Sequence, residues 1–371
     1  MQRVAIIGSS QSRHQRRNAD QNVEDIIYET VRGLLDQVSL DIRDVDAVIG
    51  AGDDVLDGRS ISNVFTAEYA GAFLKEESKV EDDGAYAASY AFMRIASGAC
   101  ETALVYAYSK GSDSSPQHYS GMIADPLYLR PLGVEAITAA ALQAQCYFSR
   151  YNVTEEQAAL VAIKNRKHAL SNPFAQISGE LTVEDVMRSP LLASPIKRID
   201  ASPVSDGCCA LLLASEDAVK RFQMKPAWIR GLSFSTDTFY PGHRDLTEIR
   251  SAHKAAERAY KMANIHDIER EIAYAEIHEP FSFQELMIYE ALGFCEKGQG
   301  GHLVESGATR EDGRLPVNLS GGALSANPIF ATGLIRLAEA ANRISQRGGN
   351  AVAHATSGFC LQSNIVYVLS A

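Results

Sequence analysis

The order of apolar runs in this chain repeats itself, and the repeat limits the folds open to it. Residues 4–8 (VAIIG) form a short apolar run, and residues 227–232 are their counterpart in the second half. Residues 46–52 end a run on small side chains where residues 273–281 end one on polar side chains. Residues 102–109 match 350–356, and residues 209–215 match 363–370. Runs this apolar suit strands covered on both faces. Helical stretches follow at equivalent places, over 89–99 and 332–344. Such alternation implies layered, mostly parallel α/β architecture. Two halves related by a pseudo-twofold axis are expected over residues 1–225 and 226–371.

Between the matched parts, residues from 110 to about 194 start irregular and polar (KGSDSSPQHYSG) and turn helical from 135 to 170. This reads as an inserted cap over one end of the sheets. Ligands of α/β sheets bind outside the carboxyl ends of strands, so the cap supplies pocket walls.

A chain of 371 residues suits two fused cores. Its net charge of −11 argues against broad binding to nucleic acid or an anionic membrane. An anionic ligand needs a local basic patch, and Lys164, Arg166, Lys167, Lys197 and Arg198 offer one. A solvated helix face is the equally weighted alternative. No charged-then-apolar leader is visible in MQRVAIIGSS, and no apolar run approaches a membrane span. The six cysteines are scattered without a CxxC pair, which suits neither a metal site nor a disulfide framework. Reduced thiols in a cytoplasmic protein are expected.

Residues 316–336 (PVNLSGGALSANPIFATGLIR) read as a strand end, a glycine turn and an amphipathic helix. Gly321 and Gly322 allow a close backbone approach, and the helix start presents free N–H groups. With Asn327, this is how an α/β enzyme builds an oxyanion-stabilising corner. His278, in IHEPF, ends a strand beside that turn and is a candidate oxyanion donor or acid, or a structural histidine. Cys360, in SGFCLQ, sits in a sharp connection between strands and is a candidate nucleophile or proton carrier, or mere packing. Asp206 and Gly207 are expected to shape a turn. The DDGAYAAS stretch is the first-half equivalent of the glycine turn. No nucleophile stands at Gly84, and Tyr86 and Ser89 are its nearest hydroxyls. Tyr240 and His243 lie on a loop after the first strand of the second half.

Four stretches, RIDASPVSDGCCALLLAS, EIHEPFSFQELMIYEALGFCEKGQGG, PVNLSGGALSANPIFATG and AHATSGFCLQSNIVYVL, resemble the thiolase superfamily. The resemblance covers essentially the whole chain and is closest to the sterol-carrier and archaeal thiolases. It implies a thiolase fold: two α/β halves, a five-layered αβαβα core, a loop domain over the insertion and a tight dimer. It also implies acyl-coenzyme A substrates, with coenzyme A entering as part of the substrate and no covalently bound cofactor. Arg166, Lys167, Arg198, Ser205 and Gly322 are the expected coenzyme A contacts.

The departures restrict the chemistry. The family's nucleophilic cysteine is Gly84 here, and the histidine of its Gly-His-Pro turn is Asn327. Glycine cannot form an acyl-enzyme. Retro-aldol cleavage of a β-hydroxyacyl-coenzyme A needs no covalent step. In that reading His278, with Asn327, donates to the thioester oxygen, Cys360 moves the α-carbon proton, and Tyr240 or Tyr86 takes the hydroxyl proton. Thiolase-like aldolases that shorten steroid side chains share the missing cysteine and work with a small partner carrying an OB fold and a zinc ribbon. The DPLYLRPLG stretch resembles the loop segment of such partner-bound thiolases. Two alternatives remain: a silent subunit of a hetero-oligomeric thiolase complex, and an acetyltransferase using Cys360.

Overall fold

The computed structural model describes residues 2–222 and 224–371. Its strands are β1 (Val4–Gln11), β2 (Ala47–Ala51), β3 (Glu76–Val80), β4 (Thr102–Lys110), β5 (Leu191–Ala193), β6 (Ile196–Lys197), β7 (Asp206–Ser215), β8 (Ala227–Thr236), β9 (Ile272–Ile277), β10 (Asn350–Ser357) and β11 (Ser363–Ser370). The short β5–β6 hairpin stands apart, and the other nine form one sheet in the order β3-β2-β4-β7-β1-β8-β11-β10-β9. The halves meet at β1 and β8, through the pairs Ala5↔Trp228 and Ile6↔Ala227. On either side of that seam the strands match as the repeat orders them. The counterpart of β3 is reduced to one parallel bridge between Ala275 and Val317.

The sheet is mixed, not mostly parallel. The β2–β3, β2–β4 and β9–β10 pairs are parallel, but β4–β7, β1–β7, β1–β8, β8–β11 and β10–β11 are antiparallel. The cause lies in the connections. Lys110 leaves β4 opposite Asp206, where the chain re-enters at β7, so the long insertion starts and ends at one edge of the layer. A strand that re-enters where its predecessor left must run back. In the second half the short turn after Ser357 has the same effect on β11. Asp206 and Gly207 are therefore the first residues of β7 and not a turn.

Alternating side chains sort the sheet into layers. Val4, Ile6, Leu211 and Leu213 face one core together with Ala351, Ala353 and Ala355 of the other half. The Gly84–Ala96 and Thr332–Arg347 helices fill that shared core with Ala85, Ala88, Leu334 and Leu337. The opposite face of the first half, Ala5, Ile7, Leu212 and Ala214, packs on the Val23–Val38 helix. The opposite face of the second half, Val352, Val366 and Val368, packs on the Arg250–Ala263 helix. The result is a five-layered αβαβα stack whose middle layer is two helices. Small residues make this possible, because Ala85, Ala87, Ala88 and Ala91 let the central helix approach both sheets. This helix begins at Gly84, five residues before the apolar pattern suggests, because Asp83 caps it. Among the described residues no helix is long and apolar enough to cross a membrane.

Candidate active site

Four segments converge at the carboxyl ends of the strands. His278 follows β9, and Ser357 closes its parallel neighbour β10, with His354 opposite Ile277 in the register. Asp82 to Gly84 follow β3, and Gly84 N donates to the Phe330 carbonyl at 2.7 Å. Ser202 ties the Asn327 turn to the His278 turn, donating from N to Pro280 O (2.9 Å) while its Oγ accepts from Asn327 Nδ2 (3.0 Å). Gln143, on the Ala136–Tyr151 helix of the insertion, donates to Cys360 O (3.3 Å) and accepts from Gln284 (2.9 Å). The structure thus brings His278, Asn327, Cys360 and the Gly84 helix start to one end of the molecule, under the cap.

His278 is buried, and its Nδ1 has no hydrogen-bond partner. Burial first, then the neighbouring His354 and Arg336, push its pKa down to about 3. The ring is therefore neutral at neutral pH, a polar group that can donate or accept one hydrogen bond without carrying charge. Behind it, Ile277 N donates to Asn318 Oδ1 (2.7 Å), and Asn318 Nδ2 bridges Glu279 Oε2 and Glu285 Oε2 (2.8 Å each). Asn165 Nδ2 bridges the same two carboxylates, and Lys164 pairs with Glu285 at 2.9 Å. Burial, with Glu285 beside it, raises Glu279 to about 8. This is a satisfied internal network that fixes the strand end from which His278 projects.

That network also explains the glycine turn. Gly321 and Gly322 have φ of +98° and +65°, and a Cβ on Gly322 would lie 2.0 Å from Glu279 Oε1. The space on the side-chain face of Gly322 belongs to an internal carboxylate. Asn327 is equally committed. Its Nδ2 serves Ser202, its Oδ1 accepts from Thr332 Oγ1 (2.7 Å), and its N donates to Ser205 Oγ (2.9 Å). Ser205 is wholly buried, and its Oγ accepts that bond. Asn327 braces the turn with these bonds and keeps the second Nδ2 hydrogen without a partner.

The first-half helix start is closed to a nucleophile. A Cβ on Gly84 would lie 2.6 Å from Ala107 Cβ and 2.8 Å from Leu334 Cβ. The helix N-terminus is already neutralised from within. Asp83 Oδ1 accepts from Ala85 N and its Oδ2 from Gly333 N, both at 2.8 Å, so one carboxylate caps both central helices. Burial raises Asp83 to about 7.

The remaining candidates separate. Cys360 is buried in a small cluster with Ala124, Ala139 and Phe359, and its Sγ meets the Ala139 carbonyl at 3.3 Å. Burial pushes its thiol up to about 11, so it is a protonated thiol and not a ready nucleophile. Tyr86 OH is bonded to Ser363 Oγ at 2.9 Å, and burial, with Asp82 nearby, raises it far above an ordinary phenol. Tyr240 donates to Asp125 Oδ2 at 3.2 Å, lies on the loop whose Arg244 donates to the Cys360 and Phe359 carbonyls, and is also raised. Neither tyrosine is a base near neutral pH. Lys167 and Arg198 are exposed. Arg166 is 6% exposed, with a buried, unpartnered Nε, and burial lowers it to about 10.

Two residues missed by the sequence reading matter. His354 donates from Nε2 to Asn364 Oδ1 (2.9 Å), because both Asn364 amide hydrogens go to Ser251 Oγ (2.7 Å) and Leu361 O (2.8 Å). Its signal was a histidine inside an otherwise apolar strand. Asp83 was visible only as part of an acidic pair. A cavity of about 540 Å³ lies on the outer side of the second half, lined in part by Thr236, Ser251, His253 and Met287. Hydrogen bonds lead from Ser251 through Asn364 to His354, and from Thr236 through Ser363 to Tyr86.

The thiolase C-terminal domain-like family matches residues 235–370. An acetyl-CoA acetyltransferase of Methanothermobacter thermautotrophicus is 32% identical over 349 residues, which cover 91% of this chain and 90% of that protein. Among solved structures, the Ltp2-ChsH2(DUF35) aldolase superposes with a TM-score of 0.86 at 24% identity, covering 100% of this chain and 98% of that one. Human mitochondrial 3-ketoacyl-CoA thiolase superposes with a TM-score of 0.77 at 16% identity, covering 100% and 99%.

Proposed function

This chain belongs to the thiolase superfamily, and from that premise we propose that it is an acyl-coenzyme A carbon–carbon lyase and not a thiolase. The observation that carries the reading is a combination. A neutral, unbonded His278 ring survives at the strand end, whereas Gly84 has no room for a side chain and no thiolate is favoured nearby. Claisen chemistry by covalent acyl transfer needs the nucleophile. Retro-aldol cleavage needs only a hydroxyl base, a donor for the enolate oxygen and an acid for the α-carbon.

His278 supplies the enolate donor. A neutral ring suits this, since an imidazolium would tend to lose its proton to the enolate instead of sharing it. Cys360, held as a thiol, supplies the α-carbon proton once it turns from the Ala139 carbonyl. Arg166, a buried guanidinium without a carboxylate, with Lys167 and Arg198 outside it, takes the coenzyme A phosphates. The name of the aldolase neighbour couples it to a DUF35 protein. We carry that over as a small OB-fold and zinc-ribbon partner on a dimer of this chain.

The test is release of an aldehyde or ketone from β-hydroxyacyl-coenzyme A by the purified protein, alone and with any co-purifying partner. His278→Ala should cut the rate by about 10²–10³, as loss of one oxyanion donor does elsewhere. No carbonyl product from any substrate of this class ends the lyase reading.

A further inference from the structure

Tyr86 and Tyr240 are both raised above an ordinary phenol, which leaves carboxylates as the stronger bases of the converging segments. Their carboxylates differ in what they have left to give. Asp83 spends both oxygens on helix N–H groups. Glu279 is spent on Asn165, Asn318 and Leu324 N, and Glu276 on Arg336 and Ser320. Asp82 is different. Its Oδ1 accepts from Asp83 N at 2.7 Å, which holds the group in place, but its Oδ2 has only a long 3.3 Å contact from Ser357 Oγ. It is half-buried, and no ion pair among the described residues involves it. It stands just beyond β3, two residues before Gly84, and it touches the last residue of β10. It thus faces the same strand ends as His278.

We propose that Asp82 is the general base that takes the β-hydroxyl proton. This rests on the lyase reading above. As the Asp82 carboxylate removes the O–H proton, the O–H electron pair becomes the second bond of the new carbonyl. The Cα–Cβ bond breaks, and its electrons pass into the thioester enolate held by His278. The α-carbon then takes one proton, so the cleavage is proton-neutral and needs no oxidant or second substrate.

The surroundings suit the role. Asp53, Asp83, Tyr86 and Tyr119 carry the titratable groups facing Asp82, with Ser357 as its polar neighbour. Burial raises its carboxyl and the Asp53 charge adds to this, while the Asp83 N–H and Ser357 pull it back. A base raised toward the working pH is a better proton acceptor than an ordinary surface aspartate.

The experiment uses the full chain with any co-purifying partner and two assays. The first is carbonyl release from a panel of 3-hydroxyacyl-coenzyme A thioesters. The second is exchange of the α-hydrogens of butyryl-coenzyme A in deuterated water, which needs the enolate donor but no hydroxyl base. Asp82→Asn should lower kcat for cleavage by about 10²–10⁴ with little change in KM, and leave exchange intact. His278→Ala should lose both. Ser357→Ala removes a donor to the Asp82 carboxylate, so the acid limb of kcat/KM should move to higher pH. Cleavage by Asp82→Asn at the wild-type rate overturns the assignment while leaving the lyase standing. So does exchange lost in parallel with cleavage, or an acid limb that Ser357→Ala leaves in place. A wild-type protein that cleaves none of the panel removes the lyase reading and the base with it.

Discussion

Gly84 opens the first central helix, and the packing around it makes a measurable demand. An added Cβ would sit 2.6 Å from Ala107 Cβ and 2.8 Å from Leu334 Cβ. Both obstructing atoms are themselves Cβ atoms, fixed to the backbone of β4 and of the Thr332–Arg347 helix, and no rotamer change moves them. Both residues are fully buried. Relief must come from separating the central helix from its sheet or from its twin. Overpacking of this kind costs about 1–3 kcal/mol, and two contacts below van der Waals distance place Gly84→Ala near the upper end. Alanine recovers up to about 1 kcal/mol of helix propensity, leaving a net loss of roughly 2 kcal/mol. Gly84→Cys adds a sulfur to the same gap and should lose more. Urea and thermal unfolding of wild type, Gly84→Ala and Gly84→Cys measure this directly. An alanine variant as stable as wild type refutes the packing argument. A stable cysteine variant that accumulates an acyl adduct from acetyl-coenzyme A refutes it more severely, because the position would then be a reactive centre that merely lacks its thiol.

Other expectations follow from the same geometry. Gly322→Ala should lose far more stability than Gly84→Ala, because it needs a left-handed φ and displaces the buried Glu279 carboxylate, together about 3–5 kcal/mol; thermal unfolding and soluble yield test this. Mass spectrometry after incubation with acetyl-coenzyme A should find no acyl group on Cys360, since its thiol is held up at about 11; an adduct there would revive the acetyltransferase alternative. His354 is lowered to about 4 by burial, so below its ordinary value the unfolded chain binds a proton the native one refuses. Stability of the wild type should therefore fall relative to His354→Gln as pH drops from about 6.5 toward 4, with the difference between them constant above that window, as read from urea unfolding at each pH.

Much of the architecture was legible in the residues. Apolar runs report burial on both faces, so the matched strands of the two halves and their order could be read, as could the central helices. The glycine at position 84 and the polar strand end at His278 are visible in the same way, being one-residue facts. Strand direction was not legible. Periodicity is blind to it, and it was decided by the return of the long insertion opposite Lys110, which made β7 antiparallel. The glycine turn reads as a cradle for a ligand, but tertiary structure fills it with Glu279. Asn327 reads as an oxyanion donor, and tertiary structure ties its oxygen to Thr332 and one amide hydrogen to Ser202, leaving the other hydrogen unpartnered. The tyrosines read as hydroxyl bases, but burial and nearby carboxylates raise them out of range. Each of these outcomes depends on desolvation and on hydrogen bonds between groups distant in the chain, such as the 114 residues separating Asn165 from Glu279. A sequence carries the identity of such groups, and only the packed layers determine which of them keep a lone pair or a proton free for chemistry.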